Sequence, residues 1–171
     1  QTNGSFAYTP LNDFSGLDSF EYTVSDGNGG LASATVNITV EPVDLLVGGN
    51  VVQLRNVEFD AYLASSGSNA LTSTSNNTAA QWRLIDSGSG TFKLRNIATS
   101  RYLDGDFNDI DTSYFGSSYG TDWQFIESGN GEFYLYNVAY RDYLDANGRN
   151  QLVDWDPGTV ESDDLWKLTL V

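Results

Sequence analysis

A five-residue pattern occurs three times in the later part of this 171-residue chain. Gln53-Leu54-Arg55-Asn56-Val57 returns as Lys93-Leu94-Arg95-Asn96-Ile97 and again as Tyr134-Leu135-Tyr136-Asn137-Val138. After a short polar turn each copy leads to a Tyr-Leu pair, Tyr62-Leu63, Tyr102-Leu103 or Tyr143-Leu144. Each unit closes on a Trp: Trp82-Arg83-Leu84, Trp123-Gln124-Phe125 and Trp166-Lys167-Leu168. The Leu positions recur after 40 and 41 residues and the Trp positions after 41 and 43. Such a period means one supersecondary unit built several times. Within each unit, short runs of Val, Thr, Tyr and Phe broken by Gly, Asn, Asp and Ser predict about four strands joined by tight turns. No long stretch has apolar residues at helical spacing, so the chain is expected to be all-β. Three units are too few for a propeller, which needs at least four blades. A closed threefold structure suits them, because closure removes exposed sheet edges. This part is assigned to residues 45–171, with repeats at about 50–90, 91–131 and 132–171.

The composition changes near Glu41-Pro42-Val43-Asp44. Before it, Ser19-Phe20-Glu21-Tyr22-Thr23-Val24 and Ala34-Thr35-Val36-Asn37-Ile38-Thr39-Val40 alternate polar and apolar residues. Asp26-Gly27-Asn28-Gly29-Gly30 between them supplies the residues a hairpin turn requires. Residues 1–44 thus form a separate β segment, and two strands are too few to be stable alone.

Residue types that are missing restrict the chemistry. The chain has no His and no Cys, which excludes a Ser-His-Asp relay, imidazole or thiolate zinc ligands, disulfides and iron–sulfur sites. Eight Lys+Arg against 23 Asp+Glu give a net charge of −15, which repels nucleic-acid phosphates and anionic membranes. Residues 1–44 hold six acids and no base. No apolar run approaches the ~18 residues of a membrane span. The chain starts at Gln1 without a visible signal peptide, and is read as a module of a larger precursor, itself monomeric.

Two resemblances follow from these patterns. Gly4-Ser5-Phe6-Ala7-Tyr8-Thr9-Pro10, then the run Phe14-Ser15-Gly16-Leu17-Asp18-Ser19-Phe20-Glu21-Tyr22-Thr23-Val24-Ser25-Asp26-Gly27, and the strand at 34–40 resemble the later half of the cadherin-like tandem repeats of large bacterial surface and secreted proteins. That resemblance implies part of an Ig-like β-sandwich. The Trp-x-Leu/Phe, Gly-rich turn, Phe-x-Leu-x-Asn and Tyr-Leu-Asp order over 48–171 is similar to the β-trefoil of ricin B-type lectins and related carbohydrate-binding modules. It departs from that family at one place: the Gln two residues before each Trp is here Ala80, Thr121 and Asp164.

Positions that differ between repeats are the candidates for recognition. Directly after Tyr-Leu stand Ala64, Asp104 and Asp145, and ten residues later Thr74, Tyr114 and Trp155. The two units with an Asp also carry an aromatic. A ring covers the apolar face of a sugar, and a carboxylate accepts strong hydrogen bonds from its hydroxyls. The lectin resemblance implies the same division of labour, so the expected carbohydrate sites are Asp145 with Trp155 and Asp104 with Tyr114. Asn147 and Asp106, two residues after each Asp, are further hydroxyl partners. An Asp here can equally be a turn-former bonding its own backbone. Trp82, Trp123 and Trp166 recur in every unit and are assigned to the core. Trp155, between Asp154 and Asp156, is expected to be exposed.

Asp104, Asp106 and Asn108 have the first spacings of a calcium loop, but the sixth position is Asp109 in place of Gly and the twelfth is Phe115 in place of Glu. No cofactor is therefore expected, with calcium as the one alternative. The function expected is non-catalytic recognition of a polysaccharide or glycan, of neutral type given the acidic surface. The resemblances imply a secreted or cell-surface setting beside a polysaccharide-degrading enzyme. A structural or adhesion role through protein contacts is the alternative. Hydrolysis by paired carboxylates, with Asp154, Asp156, Glu161 and Asp163 as the available acids, is the least favoured reading.

Overall fold

The computed structural model describes residues 6–10, 16–40, 44–107, 109–156 and 160–171. Gly4, Ser5, Phe14, Ser15, the 41–43 boundary, Asn108 and Pro157-Gly158 lie outside the described residues. The chain divides into two compact units, Gln1–Asp44 and Leu45–Val171.

In the first unit, β1 (Gly16–Ser25) and β2 (Leu31–Val40) pair antiparallel from Gly16↔Val40 to Ser25↔Leu31. The turn is built on Asp26, whose Oδ1 accepts the Asn28 and Gly30 N–H groups at 2.8 and 2.9 Å. These donors hold the Asp26 carboxyl below its ordinary range. Gly27 and Gly29 take positive φ, as such a turn requires. The alternation places Phe20, Tyr22 and Val24 across from Val36, Ala34 and Ala32, so one face of the ribbon is apolar. Phe6 sits edge-on to Phe20 at 5.1 Å.

The second unit holds four strands per repeat. They are β3 (Val51–Asn56), β4 (Ala61–Ser66), β5 (Asn69–Ser73) and β6 (Trp82–Gly88) in the first. The second has β7 (Thr91–Asn96), β8 (Tyr102–Gly105), β9 (Ile110–Ser113) and β10 (Trp123–Gly129). The third has β11 (Glu132–Asn137), β12 (Asp142–Ala146), β13 (Val153–Asp156) and β14 (Leu165–Leu170). First and fourth strands close a ring in the order β3-β6-β7-β10-β11-β14 and back to β3. The inner pairs β4–β5, β8–β9 and β12–β13 are hairpins, each joined to its ring strand.

The repeated residues explain the threefold form. Trp82, Trp123 and Trp166 are fully buried, and each indole Nε1 donates to the carbonyl of its repeat's Tyr-Leu leucine: Leu63 at 2.9 Å, Leu103 at 3.1 Å and Leu144 at 3.1 Å. Trp thus ties the barrel to its hairpin while filling the core. Across the ring each Trp faces a buried Asn, in the pairs Trp82↔Asn96, Trp123↔Asn137 and Trp166↔Asn56. Each Asn donates to the loop entering that Trp strand, at Asp163, Ala79 and Gly120 carbonyls. Each also accepts backbone N–H groups of its own following turn, so these buried polar groups are satisfied. Asp60, Ser100 and Arg141 end the three turns with positive φ.

The departure from the lectin pattern is local. Ala80, Thr121 and Asp164 are all buried. Thr121 Oγ1 donates to Gly116 and Ser118 carbonyls, and Asp164 Oδ2 accepts the Glu161 N–H at 2.8 Å. Two of the three replacements therefore hold the loop before the Trp by contacts of their own.

Candidate functional site

The hairpins have matching registers except for their length. Leu63 pairs with Thr72 and Leu103 with Thr112, nine residues apart, whereas Leu144 pairs with Trp155, eleven apart. The third hairpin is therefore two residues longer. Trp155 occupies the place held by Thr72 and Thr112 in the other repeats, and Tyr114 has a different structural position. Counting ten residues from each Asp thus joined two positions that the fold keeps distinct.

These three equivalent residues close the cap. Thr72 Oγ1 donates to the Gly148 carbonyl in the third hairpin's turn. Thr112 Oγ1 donates to Gly67 in the first at 3.2 Å. Trp155 Nε1 donates to Asp106 in the second at 3.0 Å. Each hairpin thus locks onto a neighbour, and an indole does in the third what hydroxyls do in the others. Trp155 is half-buried against the core and stacked on Trp123, with centroids 5.9 Å apart and planes 21° apart. The exposed Trp expected from its acidic neighbours is thereby corrected: the pairing with core-facing Leu144 turns its ring inward.

Of the six expected site residues, the structure joins Asp106 and Trp155. Asp145 pairs with Asp154, one step from the Leu144–Trp155 pair, so its side chain leaves the opposite face of the hairpin from Trp155. Asn147 is exposed and donates to Leu152 O within its own turn. Asp104 accepts a short hydrogen bond from Ser118 Oγ. Burial, the largest influence, pushes its carboxyl above the ordinary carboxylate value, and the nearby Asp106 pushes the same way. Asp111, directly across from Asp104, is also raised, by burial first and then by Asp104 and Asp106. Tyr114, 67% exposed, lies under the Arg101 guanidinium at 4.0 Å from its ring centroid. In the loop proposed for calcium, Asp106 and Asp109 close on each other through Asp106 N–H to Asp109 O at 2.9 Å and Asp109 N–H to Asp106 Oδ1 at 3.1 Å. Among the described residues no group of three or more acids is arranged to hold a metal ion.

Trp155 and Asp106 instead line an open depression with Phe107, Tyr140 and Asp142. Its volume is about 160 Å³. Phe107 projects from the second hairpin's turn and is 87% exposed. Tyr140 belongs to the turn after β11, where Asn137 Oδ1 accepts its N–H at 3.2 Å. Tyr140 is the hub: Trp155 lies 5.7 Å from it at 41°, Phe107 6.4 Å at 85° and Tyr119 5.9 Å at 86°. Tyr119 is 75% exposed and extends the aromatic surface. Phe107, Tyr140 and Asp142 were missed in the sequence, although a signal existed. Counting three residues from each buried Asn gives Phe59, Thr99 and Tyr140, a disagreement between repeats as marked as the one used.

This closed six-stranded ring capped by three hairpins has many solved counterparts. The Macrolepiota procera ricin B-like lectin in complex with lactose superposes with a TM-score of 0.62 at 15% identity, over 73% of this chain and 98% of that one. The second unit is a β-trefoil. An exo-β-1,3-galactanase from Clostridium thermocellum matches with a TM-score of 0.66 at 18% identity, over 87% of this chain but 37% of the enzyme. Residues 43–112 match the family model for ricin-type β-trefoil lectin domain-like sequences. Residues 1–39 match the bacterial Ig domain. A curated relative, Protein GAMETE EXPRESSED 2 of Arabidopsis thaliana, is 64% identical over 33 residues, which is 19% of this chain and 4% of that protein.

Proposed function

We propose that the trefoil is a non-catalytic glycan-binding module whose site is the depression lined by Asp106, Phe107, Tyr140, Asp142 and Trp155. The observation that carries this reading is the meeting of three aromatic rings and two carboxylates on one open surface. Rings cover the C–H face of a sugar and carboxylates accept its hydroxyls. The ricin-type match and the lactose complex of a lectin with this fold support it. An acidic chain of net charge −15 disfavours anionic polymers, leaving neutral or cationic ones. Asp104, Tyr114, Asp145 and Asn147 remain outside the proposed site. The module is read as a monomeric part of a larger secreted or cell-surface protein, beside a polysaccharide-degrading domain. It requires no cofactor, and calcium enters only as a condition of the test.

The bacterial Ig match and the apolar face of β1–β2 favour a second reading, adhesion through protein contacts. Affinity electrophoresis through gels holding a panel of polysaccharides, with and without calcium, separates the two. Retardation by at least one polymer is expected, weakened by Phe107→Ala and Tyr140→Ala but not by Tyr114→Ala. Retardation that depends on Tyr114 and ignores Phe107 would move the site, and retardation by none would favour adhesion.

A further inference from the structure

The aromatic surface does not end at the depression. Tyr119 packs edge-to-face with Tyr140, yet it is not among the lining residues and stays largely exposed. We infer that Tyr119 is a second sugar platform and that the preferred ligand is a chain, with one unit in the depression and the next on Tyr119. The inference rests on the glycan reading and deepens it, from a sugar to at least two consecutive units of a polymer.

The first support is continuity. A lone exposed ring is ordinary on a protein surface. Tyr119 is joined through Tyr140 to Phe107 and Trp155, with neighbouring centroids 5.9, 6.4 and 5.7 Å from Tyr140. Rings in succession suit sugars in succession, each ring covering the C–H face of one unit.

The second support is that the fold does not ask for a ring there. Tyr119 opens the short turn Tyr119–Thr121, four residues before Trp123. Thr78 opens the matching turn Thr78–Ala80 before Trp82, and Ser162 stands four residues before Trp166. A small hydroxyl residue serves both other repeats.

The third support is that this exposed ring stands on a fixed turn. Ser118 Oγ donates to Asp104, and Thr121 Oγ1 donates to the Gly116 and Ser118 carbonyls at 3.2 and 3.0 Å. The Gly120 carbonyl accepts Asn137 Nδ2 at 2.7 Å. A Cβ on Gly120 would run into the Gly105 carbonyl, so the turn lies flush on the end of β8. A platform fixed before the ligand arrives loses little freedom on binding. Asp104 thereby becomes a positioning residue for Tyr119.

The test uses the full chain and oligosaccharides of one to five units made by partial hydrolysis of the polymer that retards it. The first three tried are β-1,4-xylan, β-1,3-glucan and β-1,4-galactan. Calorimetry reads the tighter complexes and the Trp155 indole N–H resonance the weaker ones. Affinity is expected to rise about five- to tenfold from one unit to three, the worth of one further stacked ring. Tyr119→Thr, which restores the residue type of Thr78, should abolish that step and leave single-unit binding unchanged. Tyr119→Phe should keep the step, and so should Tyr114→Ala, which removes an exposed ring outside the cluster.

Equal affinity for one and three units overturns the inference and leaves the glycan reading standing. So does a step that survives Tyr119→Thr, a step lost in Tyr119→Phe or Tyr114→Ala, or a polymer that retards the protein while none of its oligosaccharides binds. Absence of binding by every sugar and polymer overturns both readings.

Discussion

At the scale of single residues, Gly105 and Trp155 form one device. A Cβ on Gly105 would run into the six-membered ring of the Trp155 indole, so the glycine is what lets the ring lie flat on β8. Gly105→Ala is expected to push that ring outward, weakening its stack on Trp123 and its bond to Asp106 O. The cost should be about 1–3 kcal/mol, as for other overpacking substitutions. In a Trp155→Thr background, which restores the residue type of Thr72 and Thr112, the same Ala should cost little. Urea unfolding of the four proteins measures this coupling, and equal costs in both backgrounds would refute it. The same pair shows why the site was only half legible in the sequence. Trp155 and Asp106 were singled out, but an equal count of ten residues cannot register a two-residue insertion between β12 and β13. One residue of offset turns a side chain to the other face of a strand, which separated Asp145 from Trp155. Tyr140 was not legible because it lies in the turn before the Tyr-Leu pair, held there by its N–H to Asn137 Oδ1, and reaches Trp155 only through the fold.

At the scale of elements, what was legible is what repeats. The Leu, Asn and Trp of each unit are the residues that build the ring and bind the hairpins to it, so their spacing announced three copies of one unit. The Asn also distinguishes fold from site. Asn137 donates to Gly120 O at 2.7 Å and accepts the Ala139 and Tyr140 N–H groups at 3.1 and 3.2 Å. Asn137→Ala strands those buried groups and should cost on the order of 3 kcal/mol. Asn96→Ala, which removes the matching bonds to Ala79, Ala98 and Thr99, should cost about as much. Only the first loosens Tyr140, so glycan retardation is expected to fall in Asn137→Ala and persist in Asn96→Ala under conditions where both remain folded. Equal loss of retardation in the two would mean that global stability, not the Tyr140 turn, controls binding.

At the scale of the whole molecule, the question is which residues the trefoil needs. Its ring closes through β3 and β14, both within Leu45–Val171, so closure does not draw on the first unit. The segment just before β3 does contribute. Leu45 and Leu46 pack against the core, Asn50 Nδ2 donates to Leu45 O at 3.3 Å, and Gly49 N–H reaches Leu84 O at 2.8 Å while its carbonyl accepts Arg83 at 2.9 Å. Two shortened chains separate these contributions. Residues 45–171 should melt in one cooperative transition within about 2 °C of the full chain, a shift corresponding to less than about 1 kcal/mol, and should keep the same polymer retardation. Residues 51–171 lose both leucines and the Gly49 bonds, and should melt lower by about 5 °C or more, since two partly buried leucines are worth several kcal/mol at most and at least about one. Calorimetry of the three chains decides it. A large drop already at 45–171 would show that residues 1–44 stabilise the trefoil, and unchanged melting at 51–171 would show that Leu45 and Leu46 add nothing to its core.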